Sequence, residues 1–183
     1  MLHVFERLPS ILPGLCNQDN ETLYNLIKDF MQHFFFLIFL FLSAYFFAKL
    51  EIQIEGKDGW AGNLPTWRKP PYKNGLLKLL TDPNQPLTGY HAYLWLFILV
   101  ISHFVFLLVS WTVRAELYIL SYYTLLTTLE DFLWFIFNPH YGLKKFKKGE
   151  ILWHTYWLLG VPRIYWINYP LGIILYLIGS GII

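Results

Sequence analysis

The chain has 183 residues, of which 56% are hydrophobic, 20% aromatic and only 14% charged, and its formal net charge is +2. This composition excludes a disordered chain and a strongly basic nucleic-acid-binding protein. It also excludes a disulfide framework, because Cys16 is the only cysteine. The remaining class is an all-α integral membrane protein.

Four segments are long and apolar enough to cross a membrane as helices. We number them as spans one to four, and they cover about residues 30–49, 90–111, 115–137 and 164–183. Only about three residues join spans two and three, so these spans are expected to form a tight antiparallel hairpin. The sequence therefore predicts a single membrane domain over residues 1–183, folded as a four-transmembrane-helix bundle.

Two long connections separate the other spans. Residues 51–88 are rich in Pro and Gly, which favour turns, but residues 51–55 alternate polar and apolar and predict a short strand. Residues 76–80 predict a short interfacial helix. The second connection, residues 138–163, contains an apolar segment at 151–161 that is too short to span, so we expect it to be interfacial or re-entrant.

The distribution of cations predicts an orientation. Four spans place both long connections on one side of the membrane, which we call the loop side, and both termini on the other. Of the 14 Lys and Arg residues, only Arg7, Lys28 and Arg114 fall outside the loop side. The positive-inside bias then predicts a cytoplasmic loop side, with the N and C termini outside.

An acidic pair, Glu130 and Asp131, lies inside span three, roughly 10 Å from its end. A charge at that depth is costly and normally faces a bundle interior or a wet cavity. Tyr123 and Thr127 share a helical stripe with Glu130. This pattern predicts either a hydrogen-bond network that holds span three to its neighbours or a catalytic or metal-binding carboxylate pair.

Three histidines are predicted on the same side as this acidic pair. His91 begins span two, His140 follows span three, and His154 lies in the short apolar segment; Glu51 and Glu55 follow span one. Imidazole and carboxylate groups bind zinc or iron, and they also serve metal-free acid–base catalysis. The expected catalytic groups are Glu130, Asp131 and His91, and the expected metal ligands are His91, Glu130, His140 and His154.

Basic and aromatic residues of the loops complete the predicted site. Lys144 and Lys145 open a basic run that, with Arg68, is expected either to set the topology or to hold an anionic lipid headgroup. Trp60 and Trp67 lie in a Gly-rich loop that forms either a lid over the site or an interfacial anchor.

One further histidine lies farther along span two. His103 is expected to bond to the polar residues 122–124 across the hairpin, or to serve as one step of a proton path. Glu116 is expected to be an exposed charge.

These residues predict a small membrane-embedded enzyme that acts on a lipid or another apolar substrate, with a His/carboxylate site at the cytoplasmic interface and zinc or iron as the metal if one binds. Two alternatives fit the same sequence. One is a non-enzymatic subunit or scaffold that packs against a protein partner. The other is a small proton or ion transporter, formed by one chain or a homo-oligomer. The expected partners are membrane lipids, and not nucleic acid.

Overall fold

The computed structural model describes residues 18–71 and 82–183, and 66% of it is helical. Five α-helices carry the fold: α1 (Gln18–Glu55), α2 (Gly89–Ser102), α3 (Val113–Phe137), α4 (Gly142–Lys145) and α5 (Arg163–Ser180). A 3₁₀ turn, His103–Leu107, extends α2. Four two-residue strands lie in the connections: β1 (Arg68–Lys69), β2 (Leu87–Thr88), β3 (Trp157–Leu158) and β4 (Val161–Pro162). The predicted helical class is confirmed.

The chain divides into two compact units, Met1–Phe39 and Leu40–Ile183. In its described part the first unit is the N-terminal portion of α1. The second unit contains the rest of α1 and every other described element, and it holds the features discussed below.

Helix α1 is longer at both ends than the predicted span one. The prediction of a strand at residues 51–55 is wrong, because these residues form its last turns. The burial pattern gives the reason: Glu51, Ile52 and Glu55 are buried while Ile54 is exposed. Five alternating residues are too few to distinguish the two-residue period of a strand from the period of a helix. The buried residues here are three to four positions apart, as on one face of a helix.

Helix α2 is shorter than the predicted span two, which was expected to continue to residue 111. Two side chains near its end contact backbone carbonyl oxygens of the preceding turn. Ser102 Oγ donates to Ile98 O at 2.7 Å, and His103 Nδ1 lies 2.6 Å from Leu99 O. Such local bonds compete with a regular helix. The chain tightens into the 3₁₀ turn, and residues 108–112 then lead to α3.

Helices α3 and α5 closely match the predicted spans three and four and pack along each other. The Ser121 hydroxyl donates to Gly172 O at 2.9 Å. At Gly179, a Cβ atom would lie only 2.6 Å from the backbone nitrogen of Tyr118. Small residues therefore allow the two helices to approach closely, as in other tightly packed helix pairs.

The two long connections meet at one end of the second unit. The carboxylate of Asp82 accepts backbone N–H bonds from Thr155 at 2.7 Å and from Tyr156 at 3.2 Å. Asn138 Nδ2, just after α3, donates to Gly56 O at 2.8 Å, just after α1. Strand β1 pairs antiparallel with β2, and β3 with β4. The helix predicted at residues 76–80 lies outside the described residues.

Two described helices, Glu21–Glu55 and Gly89–Leu107, are long and apolar enough to cross a membrane. This length and composition agree with the predicted membrane class.

Candidate functional site

A cavity of about 270 Å³ lies where the two long connections meet the helix ends. Its walls come from α1, α2, α3, α5 and both connections. The lining residues are Glu51, Glu55, Trp60, Gln85, His91, Trp95, Tyr123, Thr127, Thr128, Glu130, Asp131, Trp134, Trp153, His154, Ile164, Tyr165 and Asn168.

The first His–carboxylate pair joins α2 to α1. His91 Nε2 lies 3.4 Å from Glu55 Oε1, and both side chains are buried. Thr88 Oγ1 accepts the backbone N–H of His91 at 3.2 Å and lies 2.7 Å from its Nδ1. These two contacts hold the imidazole ring with its Nε2 edge towards Glu55.

Trp60 covers this pair. Its ring stacks on the His91 ring with 4.0 Å between centroids. Residues 59–61 all have left-handed backbone angles, with φ of 59°, 42° and 53°, a conformation that costs about 1–2 kcal/mol for a non-glycine residue. Two bonds hold the turn: Trp60 Nε1 donates to Pro86 O at 2.7 Å, and Ala61 N donates to Glu55 Oε1 at 2.5 Å. Trp67, by contrast, does not line the cavity.

The second pair joins α3 to the connection before α5. His154 Nε2 lies 3.3 Å from Asp131 Oδ2, and the Tyr165 hydroxyl donates to the same oxygen. His154 and Tyr165 are buried, whereas the Asp131 side chain is 28% exposed and reaches the cavity. This arrangement orients one carboxylate by two neighbours while one face of it remains accessible.

A third group consists of Glu51 and Glu130, two buried carboxyl groups that both line the cavity. Glu130 is buried, and its Oε1 has no hydrogen-bond partner within the described chain. The indole nitrogen of Trp134, also on the cavity wall, is likewise unpartnered among the described residues.

The predicted metal set does not assemble completely. His91, Glu130 and His154 line the cavity, but His140 is exposed and lies outside it. Its N–H bonds to Asn138 Oδ1 at 3.0 Å and its carbonyl accepts from Lys145 Nζ at 2.7 Å, so the turn after α3 directs the ring outward. Within the described residues, no three His, Cys, Asp or Glu side chains are placed to hold a metal ion.

The predicted headgroup residues also lie away from the cavity walls. The Arg68 guanidinium donates to four backbone carbonyls of its own loop, those of Ala61, Gly62, Leu64 and Thr66. Arg68 therefore holds the loop that carries Trp60. Lys144 and Lys145 are exposed on α4, and Lys145 Nζ lies 5.9 Å above the Tyr141 ring.

His103 pairs with Glu116 and not with residues 122–124, so that prediction is wrong. His103 Nε2 lies 3.0 Å from Glu116 Oε1, and Trp111 Nε1 donates to Glu116 Oε2 at 2.9 Å. The early end of α2 brings His103 beside the first turn of α3. Glu116 is therefore half-buried, and the prediction of an exposed charge is also wrong.

No family model, curated protein or solved structure matches this chain.

Tyr165, Asn168 and Asp82 are among the residues that shape the site and that sequence reasoning missed. Tyr165 orients Asp131, Asn168 lines the cavity, and Asp82 ties the two connections together. Tyr165 and Asn168 are three positions apart at the start of α5, and that polar spacing on an otherwise apolar helix was the available signal. Asp82 lies in a Pro-rich loop. Its partners are backbone N–H groups more than 70 residues away, and no local sequence pattern indicates such a contact.

Proposed function

We propose that this chain is a membrane-embedded enzyme that moves protons on an apolar substrate, with His91–Glu55 and Asp131–His154 as its acid–base pairs. The observation that carries the proposal is that both pairs line one cavity whose other walls are largely aromatic. Histidine and carboxylate side chains are common general acids and bases in enzymes.

The roles follow from the contacts of each pair. Thr88 orients His91 so that its Nε2 edge meets Glu55, and Tyr165 orients Asp131 beside His154. One pair would remove a proton from the bound substrate while the other returns one, which keeps the net charge of the site constant. We propose acid–base rather than metal-ligand roles because His140 lies outside the cavity and each remaining histidine is paired with its own carboxylate.

The exposed surface of α2 supports the membrane setting. Only 11% of the most apolar stretch of the helix Gly89–Leu107, which comprises α2 and its 3₁₀ turn, is buried, unlike the core helix of a water-soluble fold. We propose α3 and α5 as two further spans, with the acidic residues of α3 turned to the cavity. In this arrangement both connections lie on the cytoplasmic side, as the excess of cations there favours.

A transporter is the second candidate, and one observation favours it. Glu51 and Glu130 line both the main cavity and a much smaller one between α1, α2 and α3. A carboxyl pair shared by two cavities is a plausible relay for protons.

Deuterium transfer separates these functions. Membranes containing the full chain are incubated with a total lipid extract in D₂O, and the lipids are analysed by mass spectrometry. An acid–base enzyme places deuterium on, or changes the structure of, at least one lipid; Asp131→Asn and His154→Ala abolish this. Glu150→Gln, an exposed acidic residue outside the cavity, serves as the matched control.

If no lipid differs between the wild type and both variants, the enzyme proposal is wrong. Proton flux into vesicles that depends on Glu130 would then support the transporter.

A further inference from the structure

The cavity has an unbalanced set of charged groups. Four carboxyl groups line it, and no Lys or Arg is among its described lining residues. Two of the four, Glu55 and Asp131, each lie beside a histidine. The other two, Glu51 and Glu130, have no cationic side chain within ion-pair distance in the described chain.

A bound positive charge would therefore be stabilised most strongly beside Glu51 and Glu130. Burying a carboxylate without a partner is costly, so a proton or a bound cation must neutralise it. Glu130 Oε1 is buried and has no hydrogen-bond partner within the described chain, and Glu130 lines the cavity. That oxygen is free to accept a bond from a donor or a cation inside the cavity.

The remaining walls suit the apolar part of such a cation. Four indole rings line the cavity: those of Trp60, Trp95, Trp134 and Trp153. Trp60 and Trp95 have centroids 6.0 Å apart, and Trp134 meets Trp153 edge to face at 5.9 Å. Indole faces attract ammonium groups more strongly than other aromatic rings do. A cavity of about 270 Å³ also has more room than a single metal ion requires.

We propose that the cavity binds an organic cation, an amine or quaternary ammonium group on an apolar body, with the positive charge beside Glu51 and Glu130. The inference rests on the proposed function and names the substrate class of that site. The indoles surround the apolar body, and the two His–carboxylate pairs line the same cavity.

A pair of probes with the same shape tests the role of charge. Phenyltrimethylammonium and tert-butylbenzene differ only in the charged nitrogen, and binding of each to the full chain in maltoside detergent is measured by calorimetry. We expect the cation to bind at least about tenfold more tightly. Glu130→Gln is expected to weaken cation binding by about tenfold or more and to leave binding of the neutral probe unchanged.

Two further variants keep the test decisive if Glu130→Gln does not fold. Glu51→Gln removes the other carboxylate, and Trp60→Leu removes an indole carried by a loop; both are expected to reduce the preference for the cation. Glu150→Gln is expected to leave it intact.

The proposal is overturned if the neutral probe binds as tightly as the cation, if neither probe binds, or if neither glutamate variant weakens the cation. It is also overturned if zinc binds stoichiometrically and displaces the cation. Deuterium transfer depends on Asp131 and His154 rather than on probe charge. A chain that transfers deuterium without preferring the cation keeps the proposed function and loses this inference.

Discussion

Thr88 has two tasks at the start of α2. Its fully buried hydroxyl accepts the backbone N–H of His91, which caps the helix, and it meets Nδ1 of the same residue. Capping gives the helix its first bond, and the ring contact fixes which imidazole nitrogen faces Glu55. One side chain thus couples the start of an element to the orientation of a site residue.

Thr88→Val tests this coupling, because valine has the shape of threonine without the hydroxyl. We expect a loss of about 1–2 kcal/mol in stability, since the buried His91 N–H loses its acceptor. Thr88→Ser, which keeps the hydroxyl, serves as the control and is expected to remain close to wild type. Thermal unfolding in detergent measures both, and a valine variant as stable as the wild type would contradict the capping role.

At the residue scale, the sequence predicted which side chains lie on the loop side but not where they point. Glu130, Asp131, His91 and His154 were expected to lie near one another, and they line one cavity, whereas their catalytic or metal-binding roles stay predictions. His140 was expected on the same side because of its position just after span three. It lies instead in an exposed turn that local hydrogen bonds hold. Turn direction depends on bonds that form only in three dimensions.

At the element scale, two glycines seven residues apart set the spacing of α3 and α5. A Cβ at Gly172 would meet the side chain of Leu125 at 2.6 Å, and one at Gly179 would meet the backbone nitrogen of Tyr118 at 2.6 Å. The distances are equal, but a side chain can change rotamer whereas a helix backbone cannot yield without shifting the whole helix. The two positions should therefore differ in tolerance.

Alanine at each glycine tests that difference. We expect Gly179→Ala to destabilise the protein by about 1–3 kcal/mol, because the new methyl overpacks against backbone. Gly172→Ala is expected to cost less, since Leu125 can move and alanine favours the helix. Ile173→Val, a half-exposed neighbour on α5, is the control. Equal thermal shifts for the two alanine variants would show that backbone contact is not the cause.

Element type was more predictable than element ends. The apolar spans identified α3 and α5 almost to the residue, because length and hydrophobicity are properties of composition. The ends of α1 and α2 were missed, since burial of Glu51 and Glu55 and the carbonyl bonds of Ser102 and His103 depend on neighbouring structure.

At the scale of the whole molecule, the two long connections form one assembly held by Asp82 and Asn138. The sequence predicted that they share a side but not that they enclose a cavity, because an enclosed volume requires the relative positions of all the walls. The side of the membrane that this assembly faces follows in our proposal from its excess of cations.

Cysteine labelling in intact cells tests the orientation. With Cys16 replaced by serine, Lys148→Cys in the basic run is expected to react only after the membrane is permeabilised. Leu108 is 76% exposed and lies in the short connection between α2 and α3. A cysteine at this position, Leu108→Cys, is therefore expected to react from outside without permeabilisation. The reverse pattern would contradict the proposed orientation, and equal labelling at both positions would contradict the four-span topology.

The origin of the cavity walls has a consequence for how the protein is made. The lining residues run from Glu51 to Asn168, so the ribosome must synthesise the chain as far as Asn168 before the last wall exists. Until α5 emerges, Asp131 has no Tyr165 to orient it, and Ile164 and Asn168 do not yet close the cavity. The acidic residues of α3 are therefore synthesised well before the residues of α5 that orient them. Newly made protein should pass through a stage in which the earlier helices have formed but the site has not.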